Sequence, residues 1–103
     1  MTVKEFFFSL PQRVSSDKLQ GVETRFHFEI TGSGNYTLKI SDGTLSVAEG
    51  LQGEASCVVK ISEENMEKIL SKELNPMTAV FTGKLKISKP SELIRYAAML
   101  GLA

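Results

Sequence analysis

The sequence predicts an α/β fold of the α+β kind, on three observations. Residues 22–30, VETRFHFEI, alternate apolar and polar side chains, the two-residue period of a strand with one buried face. The alternation returns in four further short stretches, each bounded by glycine or by polar turn residues. Around them, apolar residues recur at the i, i+3, i+4 spacing of amphipathic helices. A chain of 103 residues has the length of one domain, read as residues 1–103, with room for a single core.

Each element has its own reason. Residues 3–14 place Val3, Phe6, Phe7, Leu10 and Val14 on one helical face, with Phe8 off it. Pro11 lacks the N–H that a helix interior needs, which predicts a break or kink near Ser9 or Leu10. In the first strand Val22, Phe26, Phe28 and Ile30 point one way, and Glu23, Arg25, His27 and Glu29 the other. After the turn GSGN, residues 36–40 set Tyr36, Leu38 and Ile40 together. Asp42-Gly43 is a hairpin turn, since glycine accepts positive φ at little cost, and residues 44–48 form the third strand. These three are expected to pair as an antiparallel meander with one wet face and one dry.

Residues 55–61, ASCVVKI, form a fourth strand on the alternation of Ala55, Cys57, Val59 and Ile61. Ser62 caps a helix whose first turn holds Glu63 and Glu64, where the positive end of the helix dipole favours acid. Met66, Ile69 and Leu70 make its buried stripe. Asn75 caps a shorter helix that Pro76 opens, at a position needing no N–H. Met77, Val80 and Phe81 share one face of it, and Gly83 stops it in the left-handed conformation. In KLKI, residues 84–87, Leu85 and Ile87 turn in while Lys84 and Lys86 turn out. Pro90 opens the last helix, and from 93 to 103 only Arg95 and Gly101 are not apolar. Such a helix cannot turn one polar face to water over its whole length.

Composition and motifs exclude several classes. Twelve basic and twelve acidic residues cancel, so nothing draws a nucleic acid. No stretch reaches the roughly 20 apolar residues of a membrane span, so no stable membrane insertion is expected. Lys4 and Glu5 interrupt the apolar start, so no signal peptide is read. Cys57 is the one cysteine. It makes no intramolecular disulfide, reads as a small core residue and fits a reducing, cytoplasmic compartment. His27 and Cys57, on different strands, lack a third ligand for a metal site, and no cofactor is expected. Gly32 and Gly34 precede a strand, whereas the phosphate-cradling glycines open a helix. With no Ser-His-Asp set and no paired carboxylates to place in a common site, the chain is not read as an enzyme.

The order of these elements carries a resemblance. A three-stranded meander is followed by Ile61-Ser62-Glu63 at a strand-to-helix step. Then come Leu74-Asn75-Pro76, Phe81 and the run Gly83-Lys84-Leu85-Lys86-Ile87. This arrangement resembles the sterol-carrier-protein type 2 domain family, and Ala97, Ala98 and Met99 in the last helix are similar in kind. The resemblance covers nearly the whole chain. It implies a five-stranded, mostly antiparallel sheet covered on one face by helices, with an apolar cavity between the layers. It also implies non-catalytic binding of fatty acids, fatty acyl-CoA, phospholipids or sterols. The step Ser88-Lys89-Pro90 departs from the glycine-containing one frequent in the family, which leaves open how the cavity mouth closes.

A lipid pocket needs apolar lining with few polar competitors, and methionine adapts to varied ligands. The candidate lining is Met66, Met77, Val80, Leu93, Ile94, Ala97, Met99 and Leu100, although the same stripe also reads as plain core. Lys84 and Lys86 either meet an acyl carboxylate or the phosphates of coenzyme A, or protect an edge strand. The loop EGLQGEA, residues 49–55, is read as a mobile segment near the cavity mouth. The spare apolar side of the last helix meets a ligand, a lid or a partner. Two rival roles therefore stay open: a homodimer or interaction module docking through that helix, and an accessory subunit presenting a lipid to a partner enzyme.

Overall fold

The computed structural model describes residues 1–102. Helix α1, Val3–Arg13, begins at a capping box. The Thr2 hydroxyl accepts from the Glu5 N–H at 3.0 Å, and the Glu5 carboxylate accepts from the Thr2 N–H at 2.8 Å. The helix does not break at Leu10 but runs through Pro11. Proline there leaves one bond unmade, that to the carbonyl of Phe7, and the ladder closes with Val14 N–H on Leu10 O at 3.0 Å. Burial of Val3, Phe6, Phe7 and Leu10 outweighs a single lost bond in the last turn.

The hydrogen bond with the Thr2 backbone, then that with its side chain, holds the Glu5 carboxyl below the usual carboxylate range. A carboxylate favoured in the fold contributes stability above its unfolded pKa, and that contribution is lost as pH falls through the folded one. Amide protection in the first turn of α1 is therefore expected to fall on acidification below the ordinary carboxylate range. Glu5→Gln removes that dependence; equal acid loss in both proteins would disprove the role.

Strands β1, Thr24–Thr31, β2, Gly34–Ser41, and β3, Thr44–Glu49, pair as the expected antiparallel meander. Strand β4, Cys57–Ser62, lies parallel to β1 on its free side, and β5, Leu85–Ile87, pairs antiparallel with β4. The order β3-β2-β1-β4-β5 makes a five-stranded mixed sheet, antiparallel except at β1–β4.

That one parallel pair sets the path of the chain. β3 and β4 point the same way from opposite sides of the β1–β2 pair, so residues 50–56 must cross two strands. They cross on the polar face. The Thr37 hydroxyl donates to Gly50 O at 2.7 Å and accepts from Gln52 N–H at 2.9 Å. His27 Nε2 lies 2.9 Å from Gln52 O, and Arg25 Nη1 donates to Glu54 O at 3.3 Å. Ser56 N–H then donates to Arg25 O at 2.8 Å. Gly53 has φ 67°, and a side chain there would strike the Arg25 guanidinium. The loop expected at a cavity mouth is thus pinned across the face opposite the helices, and His27 and Arg25 serve as its clamps.

The other face is the core. Phe26, Phe28, Ile30, Tyr36, Leu38, Ile40, Cys57, Val59, Ile61 and Leu85 are all buried on it. Helix α1 lays Phe7 there, its ring 4.7 Å from Tyr36 and 4.8 Å from Phe28. Helix α2, Glu63–Leu70, is capped as expected, with Ser62 Oγ accepting from Asn65 N–H at 3.1 Å, and buries Met66 and Ile69.

Helix α3, Pro76–Phe81, starts as expected at Asn75, whose side chain accepts from Met77 N–H at 2.8 Å. Its buried residue is Ala79 rather than the face of Met77, Val80 and Phe81. A helix this short meets the domain mainly through Ala79, with Val80 partly buried beside it. The helix ends in a turn around Gly83, where Ala79 O accepts from Lys84 N–H at 2.9 Å. Gly83 adopts the expected left-handed conformation, φ 77°.

Ser88 leads into helix α4, Pro90–Leu100, by gripping β4. Its Oγ accepts from Val58 N–H at 2.9 Å and its N–H donates to Val58 O at 3.0 Å. Leu93, Ala97 and Leu100 then face the core, and the Tyr96 ring lies 6.0 Å from Phe26.

Candidate functional site

The inner face of the sheet is buried, and the surface is grooved beside α4. Between the 3₁₀ turn Ser16–Leu19 and α4 runs a groove of about 520 Å³, lined by Lys18, Val22, Arg95, Tyr96, Ala98 and Met99. Tyr96, in its lining, also packs on Phe26 of the buried sheet face. Thr24 follows Val22 on the face of Phe26. It is only 9% exposed, and its hydroxyl has no hydrogen-bond partner among the described residues.

The rim is cationic. Among the described residues, the ion pairs are Lys4–Glu49 and Lys68–Glu64, so Lys18 and Arg95 are matched to no carboxylate. The Arg95 guanidinium rests over the Tyr96 ring, 5.7 Å from its centre, which holds a positive charge at the edge of an apolar surface. A second groove, of about 250 Å³, opens where α1, α2 and the end of α4 meet, lined by Met1, Phe6, Arg13, Glu67, Leu70, Ser71 and Gly101. There a carboxylate, Glu67, shares the lining with Arg13, which suits an anion less well.

The residues expected to line a pocket separate into three groups. Met66, Leu93, Ala97 and Leu100 are buried together in the core between α2, α4 and the sheet. Val80 and Met99 are partly buried against that core, and Met99 also lines the larger groove. Met77 and Ile94 turn outward, 39% and 55% exposed. Lys84 is exposed just before β5, and Lys86 pairs across the ladder with Lys60 on the polar face, away from the helix layer.

Sequence reasoning passed over Lys18, Val22, Arg95 and Tyr96 as a set. Lys18 lies in a stretch with no periodicity, and Arg95 reads as the one polar interruption of an apolar helix. Among the described residues, no group of His, Cys, Asp and Glu is placed to hold a metal ion, and no helix is long and apolar enough to cross a membrane.

A sheet with one wet face, a helix layer on the other and a groove beside the last helix is the architecture of a small α+β domain. The chain belongs to the SCP-2 sterol transfer family, whose sequence model matches residues 4–100.

Solved structures share the fold. The inverting sec-alkylsulfatase Pisa1 from Pseudomonas sp. is 22% identical with a TM-score of 0.78, over 99% of this chain and 16% of that one. The chain thus spans about one-sixth of the sulfatase it matches, the aligned part being 16% of its length. Palmitated SCP2L2 from Aedes aegypti is 20% identical with a TM-score of 0.78, over 97% of this chain and 95% of that one. Sterol carrier protein domain 2 of Helicoverpa armigera is 18% identical with a TM-score of 0.76, over 94% and 84%. At these identities the likeness is one of fold.

Proposed function

We propose that this domain binds fatty acids or related acyl lipids without chemistry. The acyl chain enters between α4 and the sheet, and an anionic head group rests at Lys18 and Arg95. The observation that carries this reading is the groove beside α4, with Val22, Tyr96, Ala98 and Met99 in its lining and unmatched cations at its rim. Family membership supports it, as does the palmitated form of the Aedes aegypti relative.

Each buried CH₂ contributes about 0.8 kcal/mol, so a long chain outweighs the cost of ordering it. Met66, Leu93, Ala97 and Leu100, closed together in the core, part to admit the chain, and Met66 and Met99 supply adaptable surface. The head group falls to Lys18 and Arg95 rather than to Lys84 and Lys86, because Lys86 faces the polar side of the sheet. A reducing, cytoplasmic setting accords with the free, buried Cys57.

The test is titration of delipidated protein with a fluorescent fatty acid, competed with palmitate, palmitoyl-CoA and a neutral long-chain alcohol. Saturable binding near one ligand per chain is expected. Reversing both rim charges, Lys18→Glu with Arg95→Glu, is expected to weaken palmitate about ten-fold while sparing the alcohol. Equal effects on both competitors would remove the head group from this rim. Absence of saturable binding in folded protein would overturn the whole reading.

A further inference from the structure

Residues 74–91 contain Lys84, Lys86 and Lys89 and no Asp or Glu, in a chain of zero net charge. The same segment holds the most exposed large apolar side chain, Phe81, at 85%. Met77 stands one helical turn before it on the same face of α3, 39% exposed. Lys84 and Lys89 are exposed nearby in the chain, and Lys86 lies beside Lys60. Glu29 adjoins Lys60 in the β1–β4 register, and Glu73 and Glu92 bound the segment in sequence.

We propose that α3 and the β5 edge form a docking surface for an anionic lipid bilayer. Phe81 and Met77 enter the boundary between head groups and acyl chains, and Lys84, Lys86 and Lys89 meet the anionic head groups. The occupant follows from charge and size. Two protruding side chains are too small an apolar area for a stable protein interface. A twofold contact with a second copy would bring the lysines against their own symmetry mates. A fluid bilayer needs no matching shape, and its negative surface complements a segment that carries three lysines and no acid of its own. Docking of this size is weak and reversible. This inference goes beyond cargo binding and does not depend on it, since the surface lies outside the groove under α4.

The protein has no tryptophan, so Phe81→Trp introduces a single emission reporter at the proposed point of entry. Delipidated protein is mixed with vesicles of phosphatidylcholine alone and with an equimolar mixture of phosphatidylcholine and phosphatidylserine. A blue shift and co-sedimentation with the mixed vesicles, both reversed by salt, are expected. Phe81→Asp is expected to lower the vesicle-bound fraction about ten-fold, and Lys84→Glu with Lys86→Glu to abolish the preference for phosphatidylserine. These side chains are exposed, and circular dichroism confirms that the variants fold.

No shift and no sedimentation with the mixed vesicles would overturn the proposal. So would undiminished binding by Phe81→Asp, or self-association that buries position 81 without vesicles. Fatty-acid titration of Phe81→Asp without vesicles is expected to match the unaltered protein, so cargo binding and docking fail or hold separately.

Discussion

Phe7→Ala is expected to destabilise the domain by about 3–5 kcal/mol, the range for removing a large aromatic side chain from a packed core. The Phe7 side chain has no exposed surface. Its ring meets Phe6 edge-on at 5.5 Å, Phe28 at 4.8 Å and Tyr36 in a stack at 4.7 Å. Those partners lie on α1, β1 and β2, so one side chain joins the helix to the centre of the sheet. A domain of this length has a net stability of about 5–15 kcal/mol, so the loss removes a large share of it. Urea unfolding measures it directly, with Phe8→Ala as the comparison. Phe8 is 41% exposed and touches Tyr36 only at 6.3 Å. A midpoint shift for Phe7→Ala no larger than that for Phe8→Ala would show that α1 does not anchor the sheet.

The second large effect is on binding. Ala97 is 7% exposed and lies between Leu93 and Leu100 on the buried row of α4, beside Tyr96 of the groove. Ala97→Trp is expected to leave the domain folded, at a cost of about 1–3 kcal/mol for overpacking. The indole occupies the space proposed for the acyl chain, so fatty-acid affinity is expected to fall about ten-fold or more. Thermal unfolding and fluorescent titration of one sample read both quantities. A folded variant with undiminished affinity would place the ligand elsewhere. An unfolded one would show Ala97 to be tight core with no space to share.

Much of the architecture is legible residue by residue. Ser62, Asn75, Pro76, Gly83 and Pro90 mark helix ends where the structure has them, because a cap or stop acts within a turn of chain. The alternation in residues 22–30 and 36–40 likewise marks the core-facing side chains of β1 and β2, since the pleat has a period of two, although Thr37 on the other face is also buried, by the strap. Pro11 misled because its effect is weighed against contacts that α1 makes with distant strands. The face of α3 misled because six residues give too little periodicity to outvote the tertiary need for a small side chain at position 79.

The candidate site was legible only in part. An apolar last helix signals surplus hydrophobic surface, and Leu93, Ala97 and Leu100 do face the core. That Lys18 and Val22 come to stand across from Arg95 and Tyr96 depends on a 3₁₀ turn with no periodic signature and on a helix some seventy residues later.

Element types, most of their caps and, outside α3, their buried faces were therefore set by local chemistry, by interactions spanning a few residues whose geometry the backbone already imposes. The tertiary structure decided the rest: β4 beside β1, the strap of residues 50–56 held by Thr37, His27 and Arg25, the outward turn of Phe81, and the groove under α4. Each of these depends on which distant surfaces bury one another best, a competition among non-local contacts that no short stretch of sequence contains.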